Sequence, residues 1–247
     1  MTSTVTPTEA SFSRRYLATL LLFAMLVAAD ALFILVHVVH AWTPFLDDSK
    51  YALDADLGMA ELYQYVKLLW LLGCLGVAFC QTRRGAFIAW AGFFALLLLD
   101  DVAQLHENGG RHFARVLGLA TAFGLRGVDY GELIVAAIIA AIGVAVVLAT
   151  LRSSDRASRQ LSLDMFALLC LLAVFAVALD AVHSFTYARA PALVDVLALA
   201  EDGGELVVVS VITAYAFDIA SNFGQQRIPV WERLTGLLPF RRVREDS

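Results

Sequence analysis

The 247 residues are 60% hydrophobic and only 17% charged, with a mean hydropathy of +0.74, whereas a soluble domain is about one-quarter charged. That composition excludes a soluble domain. The chain is expected to be all-α, a single integral membrane domain over residues 1–247, with membrane lipid as its surroundings and no nucleic-acid partner.

A bilayer core about 30 Å thick takes roughly 20 apolar residues per helix. Six segments qualify in chain order, 16–42, 61–82, 85–107, 130–152, 163–188 and 196–221. All are continuously apolar, without the two-residue alternation of a transmembrane strand, so helices are expected rather than a barrel.

Arg14 and Arg15 precede the first segment. No A-x-A cleavage site follows and the apolar run exceeds a signal-peptide core, so an uncleaved anchor is expected. Asp30 lies near the middle of this segment and Lys67 inside the second. Each needs a partner or a change of protonation, and a plain ion pair accounts for either as well as a functional role does.

The third segment is uncharged from Gly85 to Leu99, then places Asp100, Asp101, His106 and Glu107 within eight positions. Segment 108–129 is too short and too basic to span. Phe113, Val116, Leu117, Ala120 and Phe123 form an apolar stripe opposite Arg111 and Arg115, as in an interfacial helix, and its flanking glycines suggest a lid. The fourth segment is uncharged from Leu133 to Leu151.

The fifth segment carries Asp180–His183, and the sixth carries AEDGGEL, with Glu201 and Glu205 around Gly203–Gly204. The two glycines allow either close helix packing or a local irregularity. Residues 222–247 read as a tail resting on the anionic cytoplasmic surface. Cys74, Cys80 and Cys170 do not suggest a disulfide framework.

Twelve of the 18 Lys and Arg residues lie in the N-terminal flank, the turns at Arg83–Arg84 and Arg152–Arg159, and the tail. The positive-inside rule then places both termini in the cytoplasm of a bacterial inner membrane. All five histidines, His37, His40, His106, His112 and His183, fall at or near the outer face. Most of the acids do too.

Asp101, Asp180 and Glu205 would sit on the order of 10 Å below their helix ends, where an unpaired carboxylate is costly. Asp100 and Glu107 stack on one helical face if the third helix is continuous. Asp180 and His183 share a face at i, i+3, and Glu201 and Glu205 at i, i+4. Carboxylates with imidazoles form the ligand set of Zn²⁺, Fe²⁺ or Mn²⁺. Asp101, Glu107, Asp180, His183, Glu201 and Glu205 are the candidate ligands, with His106 as a ligand or catalytic base. D-x-x-H is a cousin of the E-x-x-H of di-iron bundles. Glu61, His40, His112, Asp129 and Asp195 are expected to meet headgroups and water.

The order D-D-x-x-x-x-H-E, then D-x-x-H, then E-D-x-x-E resembles a pattern in uncharacterised bacterial multi-pass membrane proteins. The resemblance runs from the third to the sixth helix and implies no activity. There is no H-x-x-x-H or H-E-x-x-H, and no lysine in the last helix for a retinal Schiff base. A metal-dependent membrane hydrolase or oxidoreductase, acting on a lipid or other apolar substrate at the outer leaflet, is the first expectation. A proton- or divalent-cation-coupled transporter is the alternative, and a scaffold subunit with a structural metal is a third. The inner halves of the helices offer only Asp164 and Asp218, and this one-sidedness favours a site over a pathway.

Overall fold

In the computed structural model, residues 7–122, 125–153, 155–187 and 191–222 are described. The expected surface tail and Phe123 lie outside them. The helices are α1 (Pro7–Trp42), α2 (Met59–Thr82), α3 (Gly85–Ala103), α4 (Leu105–Leu117), α5 (Gly127–Ser153), α6 (Arg156–Ala173), α7 (Asp180–Tyr187) and α8 (Pro191–Ser221). A π-helical segment, Val174–Leu179, joins α6 to α7. Five helical runs among the described residues are long and apolar enough to cross a membrane: Leu17–Trp42, Met59–Thr82, Gly85–Ala103, Gly127–Arg152 and Arg156–His183.

Short turns enforce an up-and-down path. Arg83 ends α2 in the left-handed region at φ 56° and gives its N–H to the Phe79 carbonyl, and α3 begins two residues later. Asp155 caps α6 by accepting from the Ser158 N–H at 3.1 Å. Its carboxylate also meets the Arg84 guanidinium at 3.1 Å. The α2–α3 and α5–α6 turns are therefore at the same end of the bundle. The hydrogen bond from Ser158 holds the Asp155 carboxyl below its ordinary range.

Helix α8 lies at the centre, packed against α1, α2, α6 and α7. Val209, Ile212 and Ile219 meet Leu71 and Leu75 of α2, Trp90 and Phe94 of α3, and Met165 of α6 in one core. The Trp90 indole N–H donates to Ser162 Oγ at 3.2 Å, which satisfies the polar edge of a fully buried ring. Lipid is as apolar as leucine, so such packing and internal hydrogen bonds, rather than escape from water, hold the helices together. Helix α1 is peripheral. Leu20, Leu21, Met25, Leu32 and Leu35 are exposed, while Leu26 and Asp30 turn inward.

Several expectations need correction. The sixth segment, 196–221, is part of α8 and is not among the five candidate spans of the described residues. The third helix does not run to Glu107: Gln104 adopts φ 49° and gives its N–H to the carbonyls of Asp100 and Asp101, so the chain turns and α4 begins at Leu105. A left-handed non-glycine residue costs roughly 1–2 kcal/mol. The segment expected to be interfacial, 108–129, falls partly on α4, where Val116 and Leu117 are exposed. Gly109 and Gly110, at the start of that segment, are in close contact with α5. Gly110 lies against Glu132, and a Cβ on Gly131 would be 2.1 Å from the Gly110 carbonyl oxygen, so these residues dock α4 tightly onto α5.

Candidate functional site

The acids collect where α2, α5, α7 and α8 begin and α3 ends. Their grouping differs from the ligand faces expected from spacing. With the chain turned at Gln104, Asp100 and Glu107 no longer share a helix. Glu107 points to Arg111, an i, i+4 pair at 3.2 Å. Asp100 Oδ2 instead meets His106 Nδ1 at 3.2 Å, linking α3 to α4. That contact raises the His106 pKa to about 9. The other carboxylate oxygen, Asp100 Oδ1, is buried without a hydrogen-bond partner.

Asp180 opens α7 within electrostatic reach of Asp129, His183, His106 and Arg126. His183, one turn on, meets Glu201 of α8 through Nδ1 at 3.0 Å. His183 is therefore directed toward α8, while Asp180 on the same helix lies near Asp129, His106 and Arg126. The π-helical segment immediately before α7 packs Phe175 against Gly204, where a Cβ would sit 2.0 Å from Phe175 Cδ1. Helix α8 runs unbroken through Gly203 and Gly204, so the glycines serve close packing and the irregularity is on the opposing element.

Asp101 is within reach of Asp100, His106 and Glu61. Glu205 is within reach of Asp202, Asp101 and Glu201. Asp54 acts on both Glu201 and Asp202. The six candidate ligands are thus divided. Glu107 is turned away, while the other five share an acid-rich end without converging. Among the described residues no three of His, Cys, Asp and Glu stand close enough to hold a metal ion.

Several residues expected to face water are engaged within the protein. Glu61 receives the Leu57 N–H and the Tyr65 hydroxyl. His40 Nδ1 donates to the Leu46 carbonyl at 2.5 Å. Asp129 Oδ1 takes two guanidinium bonds from Arg126, at 2.7 and 2.9 Å. His37 Nδ1 accepts the Leu53 N–H at 3.0 Å, pinning the α1–α2 loop.

One turn beyond Gln64 and Glu205, along α2 and α8, is a fully buried polar cage. Lys67 Nζ donates to Asp30 Oδ1 at 2.9 Å, to the Leu206 carbonyl at 2.7 Å and to Ser210 Oγ at 3.2 Å. Ser210 in turn donates to Asp30 Oδ2 at 2.6 Å. The Tyr63 ring closes another side, its centroid 4.6 Å from Nζ. Asp30, Lys67 and Ser210 have no exposed surface. Thr213, three residues past Ser210, donates to the Val209 and Lys67 carbonyls. Farther along α8 the Tyr215 hydroxyl bonds Asp164 at 2.7 Å, and Asp218 takes bonds from Thr19 and Asn222.

The sequence carried half of the cage's signal. A lone acid and a lone base inside consecutive spans each demand a partner, but Ser210 reads as an ordinary small residue.

A model of a domain of unknown function, DUF8692, matches residues 16–219. The chain belongs to that family. The match takes in the acid-rich end and the cage of this DUF8692 member alike. No curated protein and no solved structure matches it.

Proposed function

We propose that this DUF8692 protein is a cation-coupled transporter, with protons or small cations entering at the acid-rich end and passing along the polar side of α8. The observation that carries the reading is the continuity between the acid-rich end and the Lys67–Asp30–Ser210 cage: Glu205 immediately precedes Leu206, whose carbonyl takes a bond from Lys67. An ion pair deep in a membrane bundle is costly to bury and commonly marks an ion path or a proton relay. Thr213 and Tyr215 add polar groups between the cage and Asp164 and Asp218 near the other end, so the polar side of α8 continues past the cage. In the orientation drawn from the positive charges, the acids face outward and both termini inward, across a bacterial plasma membrane.

A metal-dependent enzyme has less support. Zn²⁺, Fe²⁺ or Mn²⁺ would find the His183–Glu201 pair, but no three-ligand group among the described residues. Ion flux decides between the readings. Purified protein in liposomes holding a pH-sensitive dye should dissipate an imposed proton or monovalent-cation gradient, and Glu205→Gln should slow this strongly. Wild-type liposomes as tight as empty ones to protons and to every cation tried would refute transport.

A further inference from the structure

We propose that the Asp30–Ser210–Leu206 cage is a monovalent-cation site that Lys67 fills as a tethered ammonium. This deepens the transport reading by naming the ion class, although its test needs binding alone. A buried ion pair also needs its remaining protons satisfied; what points beyond it here is the mixture of oxygens gathered on one centre. Three oxygens of different chemistry converge there, a partial coordination shell for a small cation. A carboxylate oxygen, a main-chain carbonyl and a hydroxyl take the three N–H donors of the ammonium, and an aromatic face lies on a further side.

The supports of the cage are themselves fixed. Ser210 is oriented by donating to the second oxygen of Asp30. The Tyr63 hydroxyl donates to the Leu26 carbonyl at 3.3 Å, and its ring stacks on Phe33 at 5.0 Å between centroids. These contacts come from α1 and α2 as well as α8, so the oxygens hold their places by bonds that do not involve the lysine alone. Hard oxygen donors carrying a single negative charge suit a monovalent cation. A divalent ion would call for more carboxylates. Glu205, adjacent to Leu206, is the next acid on α8 toward the acid-rich end. A cation arriving from there reaches the cage only when the lysine headgroup leaves.

The test removes the tether and supplies the cation. Full-length Lys67→Ala protein in detergent is melted in choline chloride, then in sodium, potassium, methylammonium and propylammonium chloride at equal ionic strength. The expected result is a lower midpoint than wild type in choline, rising with the logarithm of concentration for at least one small cation as binding to the folded state requires. Wild type, whose cage is full, and Asp30→Asn/Lys67→Ala, which lacks the negative charge, should show no such rise. A Lys67→Ala midpoint equal in every salt to that in choline overturns the proposal. If the variant accumulates in cells only when propylammonium is added to the medium, the proposal stands. If it accumulates under neither condition, the proposal falls. None of these outcomes depends on ion flux, so an inactive transporter and an absent cation site give different results.

Discussion

At the residue scale, two polar contacts have separable consequences. The Asp100–His106 link joins α3 to α4 across the left-handed Gln104. The folded pKa of His106, about 9, lies above its ordinary 6.5. Its stabilisation is therefore complete below pH 6.5 and lost as pH rises through 9. The imidazole side chain is 43% exposed, so solvent screens the contact and the effect is local. Amide exchange in α4 should accelerate between pH 7 and 10 in wild type beyond the intrinsic rise, and not in His106→Gln. Identical profiles in the two proteins would show that the link does not hold α4. The cage behaves differently. Lys67→Met alone strands a buried carboxylate and should cost about 3–5 kcal/mol, whereas Asp30→Leu/Lys67→Met removes both charges and should recover most of that. The double variant, stable in detergent melts, should nonetheless lose ion flux. Full flux in it would show that the pair only fastens α1, α2 and α8 together.

At the element scale, two glycine contacts should respond in opposite ways to compensation. Gly204 faces a side chain, the Phe175 ring, whereas Gly131 faces the main-chain oxygen of Gly110. Gly204→Ala should destabilise by roughly 1–3 kcal/mol through overpacking, and Phe175→Leu should relieve it. Gly131→Ala has no side chain to trim and should separate α4 from α5 whatever is changed nearby; melting curves of the single and double variants check both. These contacts also show where sequence reading stopped. Continuous apolar runs marked most of the helices because a membrane span must satisfy its main chain internally. The turn at Gln104 carried no glycine or proline to announce it, and the π-helical segment Val174–Leu179 reads as ordinary apolar sequence. Both features redirect ionisable groups. The turn takes Glu107 away from Asp100, and the π-helical segment precedes the face that brings His183 to Glu201. The residues of the acid-rich end were therefore largely legible, while their pairing was not. Pairing depends on local backbone departures of one or a few residues, to which hydropathy is blind.

At the scale of the whole molecule, the division of charge between the two ends determines how ions could use the bundle. Arg83 and Arg84 lie at the turn that Arg84 ties to Asp155, while Asp54, Glu201 and Asp202 interact at the other end. Cations would accumulate at the acid-rich mouth and be repelled at the basic one. That asymmetry would serve uptake only if the acids face outward, as the positive-inside rule predicts. Single cysteines test the orientation once Cys74, Cys80 and Cys170 have been replaced. A membrane-impermeant maleimide applied to intact spheroplasts should label Lys50→Cys, in the α1–α2 loop. Asp155→Cys, in the α5–α6 turn, should react only after the membrane is permeabilised. The reverse pattern would turn the acids inward and make export the direction favoured by charge. Labelling of both sites from outside would break the up-and-down path and separate the acid-rich end from the cage beneath it.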